Sequence, residues 1–144
     1  MRFEKWAIAV ASAGALFAFL SVFPMPSWWM RIDRLDVHDS AEGQPIIVGY
    51  DRTISRDFDG KWRVSIWRSL RGEWSSYCTA EGVQFYRSDS VLPEPVTLEW
   101  LAYTRPRCYT LPKGVYQVAV HIEINPDGFW HRTVDSDRDT FEVR

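Results

Sequence analysis

The stretch Leu111-Pro112-Lys113-Gly114-Val115-Tyr116-Gln117-Val118-Ala119-Val120-His121-Ile122-Glu123-Ile124 decides the fold. From Tyr116 onward, alternate residues are apolar. Successive side chains of a strand point to opposite faces, so Tyr116, Val118, Val120, Ile122 and Ile124 share one side, and Gln117, His121 and Glu123 share the other. That is a half-buried antiparallel strand. Working outward, Trp62, Val64 and Ile66 form a second apolar set opposed by Arg63 and Ser65, and Val96, Leu98, Trp100 and Ala102 form a third opposed by Thr97 and Glu99. Sheets of this kind bury their apolar sides by packing face to face.

Alternation with turn residues at intervals extends over most of the chain after Trp29, and no amphipathic helix is expected there. The candidate strands are Ile32 to Val37, Pro45 to Ile54, Lys61 to Arg68, Val83 to Arg87, Val96 to Tyr103, Val115 to Ile124 and Phe129 to Val134, with a closing piece Thr140 to Val143. Turns are expected at Ala41-Glu42-Gly43, Asp57-Phe58-Asp59-Gly60 and Leu92-Pro93-Glu94-Pro95. Asn125-Pro126-Asp127-Gly128 predicts a tight hairpin, with Pro126 at the second position of a type I turn and Gly128 in the left-handed position after it. The expected fold class is therefore all-β, an antiparallel β-sandwich of seven to eight strands.

Two resemblances follow from particular residues. Leu111-Pro112-Lys113-Gly114-Val115-Tyr116 resembles the start of strand F in immunoglobulin-like and fibronectin-III-like sandwiches, where a tyrosine bonds back across the corner, and Trp62 takes the position of a strand-C core tryptophan. Val118 stands where an antibody domain carries its second cysteine, so the likeness is to the immunoglobulin-like architecture and not to antibodies. Separately, Tyr50-Asp51-Arg52-Thr53-Ile54, Phe58 with Gly60-Lys61-Trp62-Arg63-Val64, Val91-Leu92-Pro93, Leu111-Pro112-Lys113-Gly114 and Phe141-Glu142-Val143 make the chain similar to uncharacterised membrane-anchored proteins encoded by phages and prophages. That second resemblance implies a setting and no mechanism.

At 144 residues, 46% hydrophobic and 25% charged, the chain has the composition of one folded domain with an appendage. Its net charge of −2 excludes a strongly basic nucleic-acid binder, so no nucleic-acid partner is expected. Trp6 to Phe23 carries no charge, and a run of that length is at the lower limit for crossing a ~30 Å hydrocarbon core. Arg2 and Lys5 precede it, Pro24 and Pro26 stop it, and Trp6, Trp28 and Trp29 are placed as interfacial anchors. A cleaved signal peptide and a buried helix compete with this reading, but no small-residue cleavage site follows the run. The expected organisation is a cytoplasmic N-terminus over 1–5, a transmembrane signal anchor and interfacial segment over 6–29, and an extracytoplasmic β-sandwich over 30–144. The bilayer, met through Trp6 to Phe23, is the first expected partner.

Cys78 and Cys108 match no zinc-ligand or redox spacing. Outside the cytoplasm they are expected to pair, whereas in the cytosol they would remain thiols.

Three constellations could carry chemistry. A three-residue hairpin loop would set Asn125 opposite Phe129, Glu123 opposite His131 and His121 opposite Thr133, giving two imidazoles and a carboxylate on the outward face, a conceivable zinc shell. A solvated strand face is the plainer reading, and no metal or other cofactor is expected. Asp135-Ser136-Asp137-Arg138-Asp139 alternates acids as calcium loops do, yet Thr140 stands where such a loop needs glycine. Eight tryptophans leave some rings outside the core, and Trp67, Trp74 and Tyr103 with Arg71 form the candidate binding surface, Trp74 being expected in an exposed loop Arg71-Gly72-Glu73-Trp74. No nucleophile elbow, HExxH or phosphate loop is present, so an enzyme is not expected. The functional expectation is a non-catalytic envelope interaction module with an unidentified protein or glycan partner, the alternatives being a glycan-binding module and a zinc-dependent activity at the hairpin.

Overall fold

A computed structural model describes residues 2–22, 28–128 and 131–144, with side chains of the first segment described over 6–19. Phe23, Pro24, Pro26 and Phe129, on which parts of the sequence reading rest, lie outside the described residues. The elements are α1 (Arg2–Val22), β1 (Met30–Val37), β2 (Val48–Ile54), β3 (Phe58–Leu70), β4 (Glu73–Tyr86), α2 (Leu98–Leu101), β5 (Gly114–Ile124), β6 (Arg132–Asp135) and β7 (Asp139–Val143).

The described strands form an antiparallel, sandwich-like fold. One sheet has the order β4-β3-β5-β6, with β7 pairing β5 further along the edge that β6 occupies, and β1 pairs β2 in a separate ribbon. The connection after β4 completes the layer over the sheet. There Val48 N donates to Val96 O and Leu98 N to Ile46 O, which ties this connection to the β2 side. Parity works as expected: Tyr116, Val118, Val120, Ile122 and Ile124 of β5 are all buried, with Trp62, Val64 and Ile66 of β3 beside them. The disulfide between Cys78 and Cys108 is formed, its Cα atoms 5.7 Å apart, within the usual range. It pins the connection after β4 to the sheet.

Several expectations fail, each for an identifiable reason. Val96 to Tyr103 is not a strand: α2 occupies its centre, because Thr97 Oγ1 accepts from Trp100 N at 3.2 Å and caps a turn of helix. Leu98, Leu101 and Ala102 then point inward at helical spacing, so Leu101 is buried and Trp100 is not. Phe58 to Gly60 belongs to β3 rather than to a turn. A Cβ on Gly60 would come 2.6 Å from the Tyr86 ring, so this glycine serves ring packing instead of chain reversal. β4 starts at Glu73, ten residues earlier than Val83, because Arg71 and Gly72 both take positive φ (55° and 85°) and close a two-residue hairpin.

The Asn125–Gly128 turn is present, with Gly128 N donating to Asn125 O at 2.8 Å, but the positive φ belongs to Asn125. Ile124 pairs Arg132, so the loop is longer than three residues and the β5–β6 register lies two residues from the expected one.

No helix among the described residues is long and apolar enough to cross a membrane, which corrects the transmembrane span expected over Trp6 to Phe23. α1 begins with Arg2, Glu4 and Lys5, and its uncharged part, Trp6 to Val22, is only about 25 Å long at roughly 1.5 Å per residue. Trp29, expected as an interfacial anchor, packs against the core, its ring 6.4 Å from Phe58.

Candidate functional site

The two sides of the five-stranded sheet offer two different candidate surfaces. On the outward side, β3 is the axis: Arg63 pairs Glu81 on β4 and His121 on β5, and His121 pairs Asp135 on β6. Glu81 lies 3.5 Å from Arg63 and 3.8 Å from Lys61. His121 Nδ1 contacts Asp135 Oδ1, and its Nε2 lies 3.7 Å from Glu123 Oε1. His131 Nε2 lies 3.8 Å from the other Glu123 oxygen. The structure thus brings His121, Glu123 and His131 together although Glu123 faces Thr133 and His121 faces Asp135. A register error of two preserves the face, since side-chain parity has period two.

The cluster forms a chain of carboxylate–imidazole contacts, with Glu123 bridging two imidazoles. Among the described residues no group of three or more His, Cys, Asp or Glu is arranged to hold a metal ion. The acidic run is likewise divided, since Asp135 faces His121 while Asp139 Oδ2 accepts from Val37 N at 2.6 Å.

Of the candidate aromatic surface, Trp67 and Trp74 share the outward side on adjacent strands, with Trp67 opposite Ser76 and Trp74 opposite Ser69. They are therefore diagonal neighbours. Arg138 stacks over Trp67 with Cζ 4.2 Å from the ring centroid, Trp74 is 40% exposed, and Arg71 stands in the adjoining hairpin turn. Tyr103 does not join them. It lies on the inward side against Trp62, the ring centroids 5.5 Å apart.

That inward side holds a cavity of about 140 Å³ between β2, β3, β4, β5 and the turn that carries Tyr103. Its walls are mainly rings: Tyr50, Trp62, Tyr86, Trp100 and Tyr103. Arg52 lies over two of them, its Cζ 5.2 Å from the Tyr86 centroid and 5.9 Å from that of Trp100. Burial pushes the Tyr50 and Tyr86 phenols up, and the proximity of the two phenols raises Tyr86 further. The Trp62 indole Nε1 is buried without a hydrogen-bond partner. Of this group, only Tyr103 is among the binding residues expected from the sequence. A usable signal was present: Arg52 shares strand parity with buried Val48 and Tyr50, and Gln84 shares it with Ala80 and Tyr86, so two polar residues occupy inward positions.

No protein-family model matches the chain, and no curated protein matches it. The likeness to phage-encoded membrane proteins therefore rests on the quoted motifs alone.

Proposed function

We propose that the chain is a non-catalytic interaction module of the cell envelope, with α1 as a lipid attachment and the β-domain on the extracytoplasmic side, in a phage-related setting. The observation that carries the recognition role is the outward corner where Trp67 and Trp74 are diagonal neighbours and Arg138 stacks over Trp67, with Arg71 in the adjoining turn. Indole rings bury large areas at low entropic cost, and arginine is the other residue type enriched where interface energy is concentrated. The compartment is supported by the Cys78–Cys108 bridge, since disulfides persist in oxidising surroundings. Attachment is supported by α1, whose described side chains from Trp6 to Phe19 are exposed and uncharged, as on a helix that gives its apolar surface to something outside the fold.

We further read the domain as immunoglobulin-like. The order β4-β3-β5-β6 matches C′-C-F-G, and β1-β2 with the Ile47–Thr97 bridge matches A-B-E. Tyr116 adds to this, its hydroxyl donating to Pro112 O at 2.6 Å.

A photo-crosslinking residue at position 74 of the full chain, expressed in its own cells, is expected to give a discrete adduct that Trp67→Ala weakens. Absence of an adduct from positions 74 and 71 alike overturns the interface. Recovery of the full chain in the aqueous fraction without detergent, with both thiols free, overturns the envelope setting. The diagonal Trp67–Trp74 pair also favours a second reading, a stacking platform for a glycan. Retention on cell-wall glycan by the wild type but not by Trp74→Ala selects it.

A further inference from the structure

We propose that the ring-walled cavity on the inward side of the sheet binds a small aromatic carboxylate, with Arg52 as the carboxylate receptor. The volume is right for one ring, since about 140 Å³ is close to the ~150 Å³ of an apolar cavity that admits benzene. The walls suit a flat apolar ring better than a hydroxylated one. Besides the aromatic side chains they include Val64, Leu101, Val120 and Ile122.

The polar groups select the charge. None of the lining residues is acidic, and the neutral polar groups, the phenols and the Gln84 amide, can all donate. Arg52 is the only cation in the lining, and among the described residues no carboxylate lies within ion-pair distance of it. Its guanidinium lies over the faces of Tyr86 and Trp100, is hydrogen-bonded to the Tyr50 hydroxyl, and reaches Ser90 Oγ at only 3.5 Å. With five N–H donors and, among the described residues, only the Tyr50 hydroxyl and Ser90 as hydrogen-bond partners, the guanidinium keeps donors for a planar two-oxygen acceptor, for which a carboxylate is the matching shape. Burial keeps the Tyr50 and Tyr86 phenols protonated, so they remain donors beside that acceptor.

The cavity and the outward tryptophan corner lie on opposite sides of the sheet, so this inference stands apart from the interface proposed above. The test is calorimetric titration of the full chain in detergent with benzoate, benzyl alcohol and glucuronate, beside Arg52→Gln and Arg52→Lys. Saturable one-to-one benzoate binding is expected, weakened on the order of ten- to a hundredfold in Arg52→Gln, as loss of a charge-assisted hydrogen bond implies. Circular dichroism of Arg52→Gln checks its fold. Should that variant not fold, the wild-type comparison of benzoate with benzyl alcohol and the partial rescue in Arg52→Lys decide between the outcomes. No saturable heat at millimolar benzoate, or equal binding of benzyl alcohol, overturns the proposal. Glucuronate binding as tightly as benzoate overturns its aromatic part.

Discussion

The two sides of β5 differ more than any two elements of the fold. On one, every side chain from Tyr116 to Ile124 is buried and apolar; on the other, Gln117, His121 and Glu123 stand in a lattice of polar and charged pairs. The same backbone carries both, so the contrast isolates what burial contributes. It also gives polar residues a different meaning on each side. Outward charges such as Arg63 and Glu81 satisfy one another, whereas an inward polar residue such as Arg52 displaces core and marks a place where the fold has kept room. The sharpest way to break the comparison is Ile122→Ala against Glu123→Ala. Ile122 is 1% exposed, and its truncation is expected to cost about 2–5 kcal/mol in urea unfolding, against about 0.5 kcal/mol or less for its neighbour. Equal costs would mean that the outward lattice holds the sheet as firmly as the core.

The next largest effect concerns what covers the inward side. Cys78–Cys108 closes a loop of about 31 residues, and in the chain-entropy model its loss removes roughly 3.7 kcal/mol. The double variant Cys78→Ser, Cys108→Ser is expected to unfold at correspondingly lower urea. It should also lose cavity order before sheet order, because the bridge fixes the connection carrying Trp100 and Tyr103. Near-ultraviolet circular dichroism, followed alongside the far-ultraviolet signal, separates the two.

The contrast also explains how far the amino-acid order alone leads. β5 and the apolar set of β3 were legible because parity acts along the strand and survives errors of register. The clustering of His121, Glu123 and His131 was legible for the same reason, despite a loop of different length. Val96 to Tyr103 satisfied both periods at once, and the choice between them lay in one Thr97 cap. Gly72 and the charges around it marked a loop over Arg71 to Trp74, but the reversal takes only Arg71 and Gly72, and Trp74 is already in β4; the tight hairpin escaped because Arg71 tolerates positive φ poorly. The cavity could not be read from any single segment, since its walls come from separate elements, and only the inward parity of Arg52 and Gln84 hinted at it.

A smaller effect tests the corner that orients β5. Tyr116 is fully buried, and its hydroxyl donates to Pro112 O, so Tyr116→Phe removes one hydrogen bond and leaves the ring contacts with Phe141 and Tyr77. A loss of about 1 kcal/mol is expected. Burial, the largest cause, raises the Tyr116 phenol above its ordinary value. A group with a raised folded pKa gives its full stabilisation below its unfolded pKa, about 10, and loses it as the pH climbs through the folded value. Wild-type stability should therefore decline above about pH 10. The decline should be shallower in Tyr116→Phe but not abolished, because burial raises Tyr50 and Tyr86 as well.

The smallest effect belongs to the outward lattice itself. Glu81 sits between Lys61 and Arg63 at 3.8 and 3.5 Å, with half of its side chain in solvent, so screening by water and ions leaves little of its Coulomb attraction. Glu81→Gln should change stability by less than about 0.5 kcal/mol at low salt, and by nothing measurable at high salt. The outward side would then specify register and solubility rather than stability, because a one-residue slip of β4 against β3 would turn Glu81 toward the core and Ala80 toward water. A salt-independent loss well above that value would place Glu81 in a network of real energetic weight. It would also remove the distinction between polar residues that merely face water and the inward ones that mark a binding site.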